Sequence, residues 1–401
     1  MLPIEQDLSQ IERFVHREGV QTLSLYLDTD PTRGAGRNLH AQLDGVLRPI
    51  RSRLEGDGTA VRLLDDAVGS LVSSIEAFDP PPRAVAAFAC PEIGFSRIVA
   101  LPEPVVPAAY WDETPHLREL LAAVDEHERT IVVLVDREHA RVHRVFMGQI
   151  EEVAKLDTVS EHGEEPGTTH RKARSGSQGA PIAMSYGERN LERRRAWHVR
   201  QHLERVLDAI RDHGSLAPDR LLVGGAKDTV YELLALMPPR VRARTRLISG
   251  LALSASPSEV LARVVEVQER AEREAEEELV DNLLERDRAH AVFGVAPVME
   301  AVSDTHVHTL VYGADVVVAG SECDACGWLM SDAAPDACPR CGEPMKPVPE
   351  LVERMVHRVL AAGGRVEEVR GAASRTLGHK GGLAALLRYQ PSTNGHSSSG
   401  P

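Results

Sequence analysis

Residues 131–146 read Ile131-Val132-Val133-Leu134-Val135-Asp136-Arg137-Glu138-His139-Ala140-Arg141-Val142-His143-Arg144-Val145-Phe146. The first five form an unbroken apolar run, short and rich in β-branched residues, which predicts a strand covered on both faces. Residues 136–139 are polar and turn-like, and apolar positions then alternate over 140–146, as in a partner strand. Gly148 marks a second turn before a third strand over 150–156. A basic helix, a strand over 220–223, a helix over 229–236 and a strand over 246–251 follow. Antiparallel strands succeeded by alternating helix and strand predict a layered α/β domain over 126–255.

Working outward, residues 1–125 read as a second α/β unit. Residues 23–27 alternate as a strand, 39–78 hold two amphipathic helices, and Ala84–Cys90 with Phe95–Leu101 form a hairpin around Pro91-Glu92-Ile93-Gly94. A connecting helix is expected over 113–124. On the other side, Ser256, Pro257 and Glu259 make a helix start with a capping box. Apolar spacing carries that helix to about Arg288, with the acidic run 272–278 expected on a solvated face. Helices over 295–302 and 350–362, with strands over 309–319, 365–369 and 384–387, complete a third α/β domain over 256–390. The tail 391–401 (PSTNGHSSSGP) is of low complexity and is expected to be disordered. The fold class expected is α/β in three domains.

Composition narrows the function classes. The 401 residues are 42% hydrophobic and 26% charged, with a formal net charge of −14. Such a surface does not coat nucleic acid indiscriminately, yet a local basic contact is compatible with it over a Debye length of about 8–10 Å. Residues 1–9 already contain Glu5 and Asp7, and no apolar run approaches the ~20 residues of a membrane span. A cytoplasmic monomer with no membrane partner is expected.

Two motifs carry chemistry. Cys323 and Cys326, separated by eleven residues from Cys338 and Cys341, make two CxxC pairs within a ribbon at 321–347. Four thiolates close a tetrahedral shell and leave no position for water, so a structural Zn2+ is expected. Gly327 and Gly342 follow the pairs and leave room for tight knuckle turns. The second motif is a loop over 157–186 that runs into the basic helix. From Arg171 to Arg200 there are eight Lys or Arg and two Asp or Glu, opposite in sign to the whole chain. Arg171, Lys172, Arg174, Arg189, Arg193, Arg194, Arg195 and Arg200 are candidate phosphate contacts. The other reading is a solvated helix whose arginines pair with Glu188, Glu192 and Glu204. No nucleophile elbow, Walker loop, dinucleotide fingerprint or HExxH is present.

The order of these parts resembles the archaeo-eukaryotic class-1 release factor and Pelota superfamily in its bacterial branch, which includes Balon-like hibernation factors. The strand pair 131–146, the long loop leading into a basic helix, and the ending Gly381-Gly382-Leu383-Ala384-Ala385-Leu386-Leu387-Arg388-Tyr389 carry the resemblance over about 126–390. It implies an RNase-H-like middle domain and a C-terminal domain of the kink-turn-binding ribosomal-protein type, with the zinc ribbon as an insertion. It further implies the ribosome as partner, through ribosomal RNA and tRNA, and a translational GTPase such as EF-Tu. Release factors of this type carry Gly-Gly-Gln at the loop tip, where the glutamine positions a water against the peptidyl-tRNA ester. The matching element here is Gly176-Ser177-Gln178-Gly179. Gln178 is then the candidate water-positioning residue, and Ser177 departs from the pattern. Three functions follow as alternatives: rescue, recycling or hibernation at the A site; peptidyl-tRNA hydrolysis; or a zinc-ribbon interaction protein with no ribosomal role.

Overall fold

The computed structural model describes residues 10–11, 20–30, 39–79, 81–158, 182–213, 220–286, 290–323, 325–331 and 337–388, with backbone only for 182–192. The chain is mixed α/β. It divides into two units, one made of residues 1–126 and 268–401, the other of 127–267. No helix among the described residues is long and apolar enough to cross a membrane.

In the first unit, Thr22–Asp28 (β1) pairs antiparallel with Ala84–Cys90 (β2) and Ala108–Asp112 (β4), and β2 with Phe95–Leu101 (β3). Leu23, Leu25 and Leu27 pack under the helices Leu39–Arg53 (α1) and Gly58–Glu76 (α2). Ser24 and Tyr26 point the other way: the Ser24 hydroxyl accepts from His116 N–H and the Tyr26 hydroxyl donates to His116 C=O. This is why β1 is buried on both faces. The hairpin β2–β3 turns at Gly94, which sits at φ 64°, a left-handed conformation that favours glycine. The connecting helix Arg118–Glu126 (α3) starts five residues later than expected.

The second unit is built on Thr130–Val135 (β5), His139–Phe146 (β6) and Gln149–Asp157 (β7). Helix Ile182–His213 (α4) then leads to Arg220–Gly225 (β8), helices Lys227–Leu236 (α5) and Pro239–Arg244 (α6), and Thr245–Leu247 (β9). Sheet order is β7-β6-β5-β8-β9; β5, β8 and β9 run parallel, and β6 is antiparallel to both its neighbours. Ile131, Val133 and Val135 meet Leu203, Val206 and Val230, while Val132 and Leu134 meet Ile248, Val260 and Val264 on the opposite face. Each such side chain contributes about 1.5–3 kcal/mol on burial, which rewards the run 131–135 for having no polar position. Gly225 sits at φ 120°, and a Cβ there would lie 2.1 Å from the Val135 carbonyl oxygen. Only glycine lets β8 approach β5 so closely.

Helix α4 begins at Ile182, inside the segment expected to be loop as far as Tyr186. Gly187 therefore lies inside the helix, where one interior glycine costs only about 1 kcal/mol in a 32-residue element. Strand β9 is shorter than the expected 246–251, because the chain turns at Gly250, φ 80°.

Helix Pro257–Glu285 (α7) starts with the expected capping box: Ser256 N–H donates to Glu259 at 2.8 Å, and Glu259 N–H to the Ser256 hydroxyl at 3.3 Å. The solvated-face expectation for its acidic run fails at two positions. Glu272 and Glu276 are buried, Glu276 pairing with Arg273 at 3.1 Å and accepting the Arg370 N–H at 3.1 Å. Their four-residue spacing puts both on the packed stripe of the helix.

Ala291–Phe293 (β10), Val295–Ser303 (α8), Val307–Gly313 (β11), Leu351–Ala361 (α9), Arg365–Val369 (β15), Gly371–Gly378 (α10) and Leu383–Leu387 (β16) form the rest of the first unit. Between β11 and α9 lie Gly320–Cys323 (β12), Leu329–Met330 (β13) and Met345–Val348 (β14). The larger sheet runs β10-β16-β11-β15 and the small one β13-β12-β14. Strand β11 ends at Gly313, short of the expected 319, where Val316 N–H turns back to the Gly313 carbonyl.

Candidate metal centre and basic helix

The two CxxC pairs meet at the end of the small sheet. Their four sulfurs lie within 4.8 Å of one another, with Cys323 Sγ 3.4 Å from Cys341 Sγ and Cys326 Sγ 3.6 Å from Cys338 Sγ. Tetrahedral coordination at ~2.3 Å places thiolates roughly 3.8 Å apart, so the donor set fits a four-coordinate ion. Each pair is folded by the same knuckle. Gly327 N–H donates to the Cys323 carbonyl and Gly342 N–H to the Cys338 carbonyl, both at 2.8 Å. The two glycines stand at φ 69° and 81°, the conformation that the expected tight turns require. Cys323 and Cys338 are buried, Cys326 and Cys341 exposed.

The ribbon is tied to α9. Glu322, beside Cys323, pairs with Arg354 Nε at 3.3 Å and with Arg358 Nη2 at 2.5 Å. Arg354 also grips both oxygens of Asp112, at 2.7 and 2.9 Å, and donates to the Thr114 hydroxyl. One guanidinium nitrogen, Nη2, reaches both carboxylate oxygens, a charge-assisted contact.

One turn-face of α9 carries a cluster that sequence reading missed. Glu353 is buried and takes the Leu117 N–H at 2.8 Å and the Arg118 N–H at 3.3 Å. It therefore caps α3 from 236 residues away, supplying negative charge where a helix N-terminus favours it. His116 Nδ1 lies 3.5 Å from Glu353, and His357 Nε2 3.1 Å from it. Burial alone would raise the Glu353 carboxyl. His116, His357 and the Leu117 N–H outweigh that and hold it at about 2. Burial opposes protonation of His116, but Glu353 and Glu119, the latter 3.1 Å away, reverse the balance and raise its pKa. The His116 ring also stacks on Tyr110, centroids 3.5 Å apart. The late start of α3 follows from this cap, since its first free N–H groups are those that Glu353 reaches. The only sequence signal was a Glu-x3-His pair on an apolar helix, which is common on solvated faces.

Helix α4 presents Arg193, Arg194, Arg195 and Arg200 as exposed residues, with Trp197 57% exposed beside them. Arg200 pairs with Glu204 at 3.0 Å, as the solvated-helix reading expects. Among the described residues no ion pair involves Arg193, Arg194 or Arg195. Leu203, Val206 and Ile210, further along, hold the helix on the sheet. Arg189 lies within α4, its side chain outside the description. Arg171, Lys172, Arg174, Gly176, Ser177, Gln178 and Gly179 lie outside the described residues.

Residues 115–269 match the family described as bacterial archaeo-eukaryotic release factor family 10. Similar solved structures include Pelota of Archaeoglobus fulgidus, 15% identical, covering 77% of this chain and 79% of that one at a TM-score of 0.34. Dom34 of S. cerevisiae, a translation termination-like factor, is 11% identical over 74% and 73% at 0.41. A ribosome-bound archaeal Pelota, described together with ABCE1, is 15% identical over 74% and 73% at 0.40. No curated protein matches.

Proposed function

The chain belongs to the bacterial archaeo-eukaryotic release factor superfamily through residues 115–269, and on that premise we propose that it is a cytoplasmic, ribosome-binding translation factor. Its place is the A site of stalled or idle ribosomes, in rescue, recycling or hibernation. The observation that carries this reading is the matched segment itself, which contains both the 157–186 loop and the basic helix. Three exposed arginines, Arg193–Arg195, with no acidic partner among the described residues, suit the phosphates of ribosomal RNA or tRNA. The segments 1–125, 126–255 and 256–390 serve in this reading as three functional domains. Three antiparallel strands followed by two parallel ones support an RNase-H-like middle domain. The ribbon is proposed to hold structural Zn2+, and the C-terminal segment to meet a translational GTPase such as EF-Tu.

Whether the loop hydrolyses is a question about Ser177 and Gln178. Hydrolysis adds water to the ester carbonyl carbon and breaks its bond to the ribose oxygen, releasing peptide acid and free tRNA hydroxyl. A Gly-Gly-Gln tip admits the ester because neither glycine carries a side chain; Ser177 adds one, which favours occupancy without release. Purified protein incubated with stalled ribosome–peptidyl-tRNA complexes should bind and leave the ester intact. Release that is lost in Gln178→Ala would instead establish the hydrolase. Failure to sediment with ribosomes at all would leave the zinc-ribbon interaction protein.

The helix has its own test. Arg193→Glu, Arg194→Glu and Arg195→Glu together should weaken ribosome binding and lower the slope of log affinity against log salt by about 2–3, at ~0.7–0.9 per phosphate contact. Binding with an unchanged slope removes the helix from the contact.

A further inference from the structure

A second basic surface lies at the opposite edge of the same sheet. Residues 239–248 read Pro239-Arg240-Val241-Arg242-Ala243-Arg244-Thr245-Arg246-Leu247-Ile248. No Asp or Glu occurs from 233 to 258, in a chain with 60 acidic residues among 401. The four arginines are exposed, and among the described residues no ion pair involves Arg240, Arg242 or Arg244. Arg240 and Arg244, four apart on α6, share one helix face. Arg242 leaves from another side, and Arg246 follows on β9, the sheet's edge strand. Val241 and Leu247 are 37% and 50% exposed between them.

Two plain explanations fall short. Basic side chains on an edge strand block pairing with other chains, which accounts for Arg246 but not for three arginines on the preceding helix. Solubility needs no added cations in a chain of net charge −14. The three arginines of α6, which among the described residues enter no ion pair and guard no strand, are complementary to an external polyanion, and guanidinium is the group best shaped for phosphate.

We propose that α6 and β9 form a second RNA-backbone contact, separate from that of α4. This rests on the ribosome-binding reading for its partner. Helix α4 lies over β6 and β7, whereas β9 ends the sheet on the other side. From β6 and β7 to β9 is three to four strand spacings of about 4.8 Å, roughly 14–19 Å. That exceeds the ~8–10 Å Debye length, so the two surfaces engage different phosphates and contribute independently to the salt dependence.

The test compares wild type, Arg240→Glu/Arg242→Glu/Arg244→Glu, and the corresponding triple lysine variant. Each is measured for binding to purified 70S ribosomes and to a labelled RNA hairpin across a salt series, with its melting midpoint as a folding control. The glutamate variant should lose about tenfold or more in affinity and about 2–3 in salt slope. The lysine variant should keep most of both, and combination with the α4 charge reversal should add. Unchanged affinity and slope in a folded glutamate variant would overturn the second contact while leaving α4 and ribosome binding in place. Wild type that binds neither RNA overturns both readings. Tighter binding to polyglutamate than to RNA, abolished by the glutamate variant, would make the surface a protein-docking site and overturn the RNA assignment.

Discussion

Glu353→Ala should destabilise the unit formed by residues 1–126 and 268–401 by about 3–5 kcal/mol, the cost of leaving buried partners without their charge. The carboxylate is the counter-charge for His116, the acceptor for His357 and the cap for α3, so one truncation removes three interactions at once: His116 keeps only Glu119, His357 only the Pro115 carbonyl, and the N-terminus of α3 loses its cap. Glu353→Gln keeps volume and part of the hydrogen bonding, and should cost less. The pH profile gives a sharper readout. Glu353 is held at about 2 against an ordinary value of 4.5, so its contribution, roughly 3 kcal/mol, is present above pH 4.5. It fades as pH falls towards 2. His116 is shifted upwards; its contribution is present below its ordinary value of 6.5 and is lost as pH rises through the higher folded value. The groups facing it are Glu353, Glu119, Arg118, Tyr110 and Tyr26, with His357 on the far side of Glu353. Melting of wild type should thus fall off on both sides of about pH 4.5–6.5, and both limbs should flatten in Glu353→Gln. Identical midpoints and profiles for the two proteins would sink the clamp.

The second large effect is expected at the ribbon. Purified under reducing conditions, the chain should carry about one equivalent of zinc, and Cys338→Ser should lose it. Structural zinc sites of this type contribute about 10–16 kcal/mol of apparent binding energy, far more than strands of four, two and four residues contribute by themselves. Removal of the ion should therefore unfold residues 320–348 locally, seen as rapid hydrogen exchange there, with protection of β5 and β8 unchanged. Trp328, whose ring lies under the Arg340 guanidinium at 5.1 Å, should change its fluorescence on chelation. A metal-free protein whose ribbon stays protected would count against the site. Because Glu322 ties the ribbon to Arg354 and Arg358, the serine variant should also weaken the grip of Arg354 on Asp112.

Much of this was legible in the residues. The run 131–135 announced a strand with no wet face, and the structure covers it on both sides. The Ser256–Glu259 box announced the start of α7 to the residue. The CxxC spacing and its trailing glycines announced a four-thiolate cluster with two tight knuckle turns, and both glycines adopt positive φ in the structure. Where boundaries slipped, at α3, β9 and β11, the deciding atom was distant or the turn followed backbone geometry. The arginines of α6 sit on a six-residue helix leading into the edge strand β9, a placement that no local spacing reveals.

Local pattern therefore determined the strands, the caps and the metal ligands, since those depend on a residue and its neighbours within a turn or a pleat. Only the tertiary structure decided that Glu353 and His116 share a buried site, or that Glu272 and Glu276 are buried rather than solvated. Charges brought together across more than two hundred residues leave no periodicity to read: their energies depend on burial and on partners that the fold alone supplies.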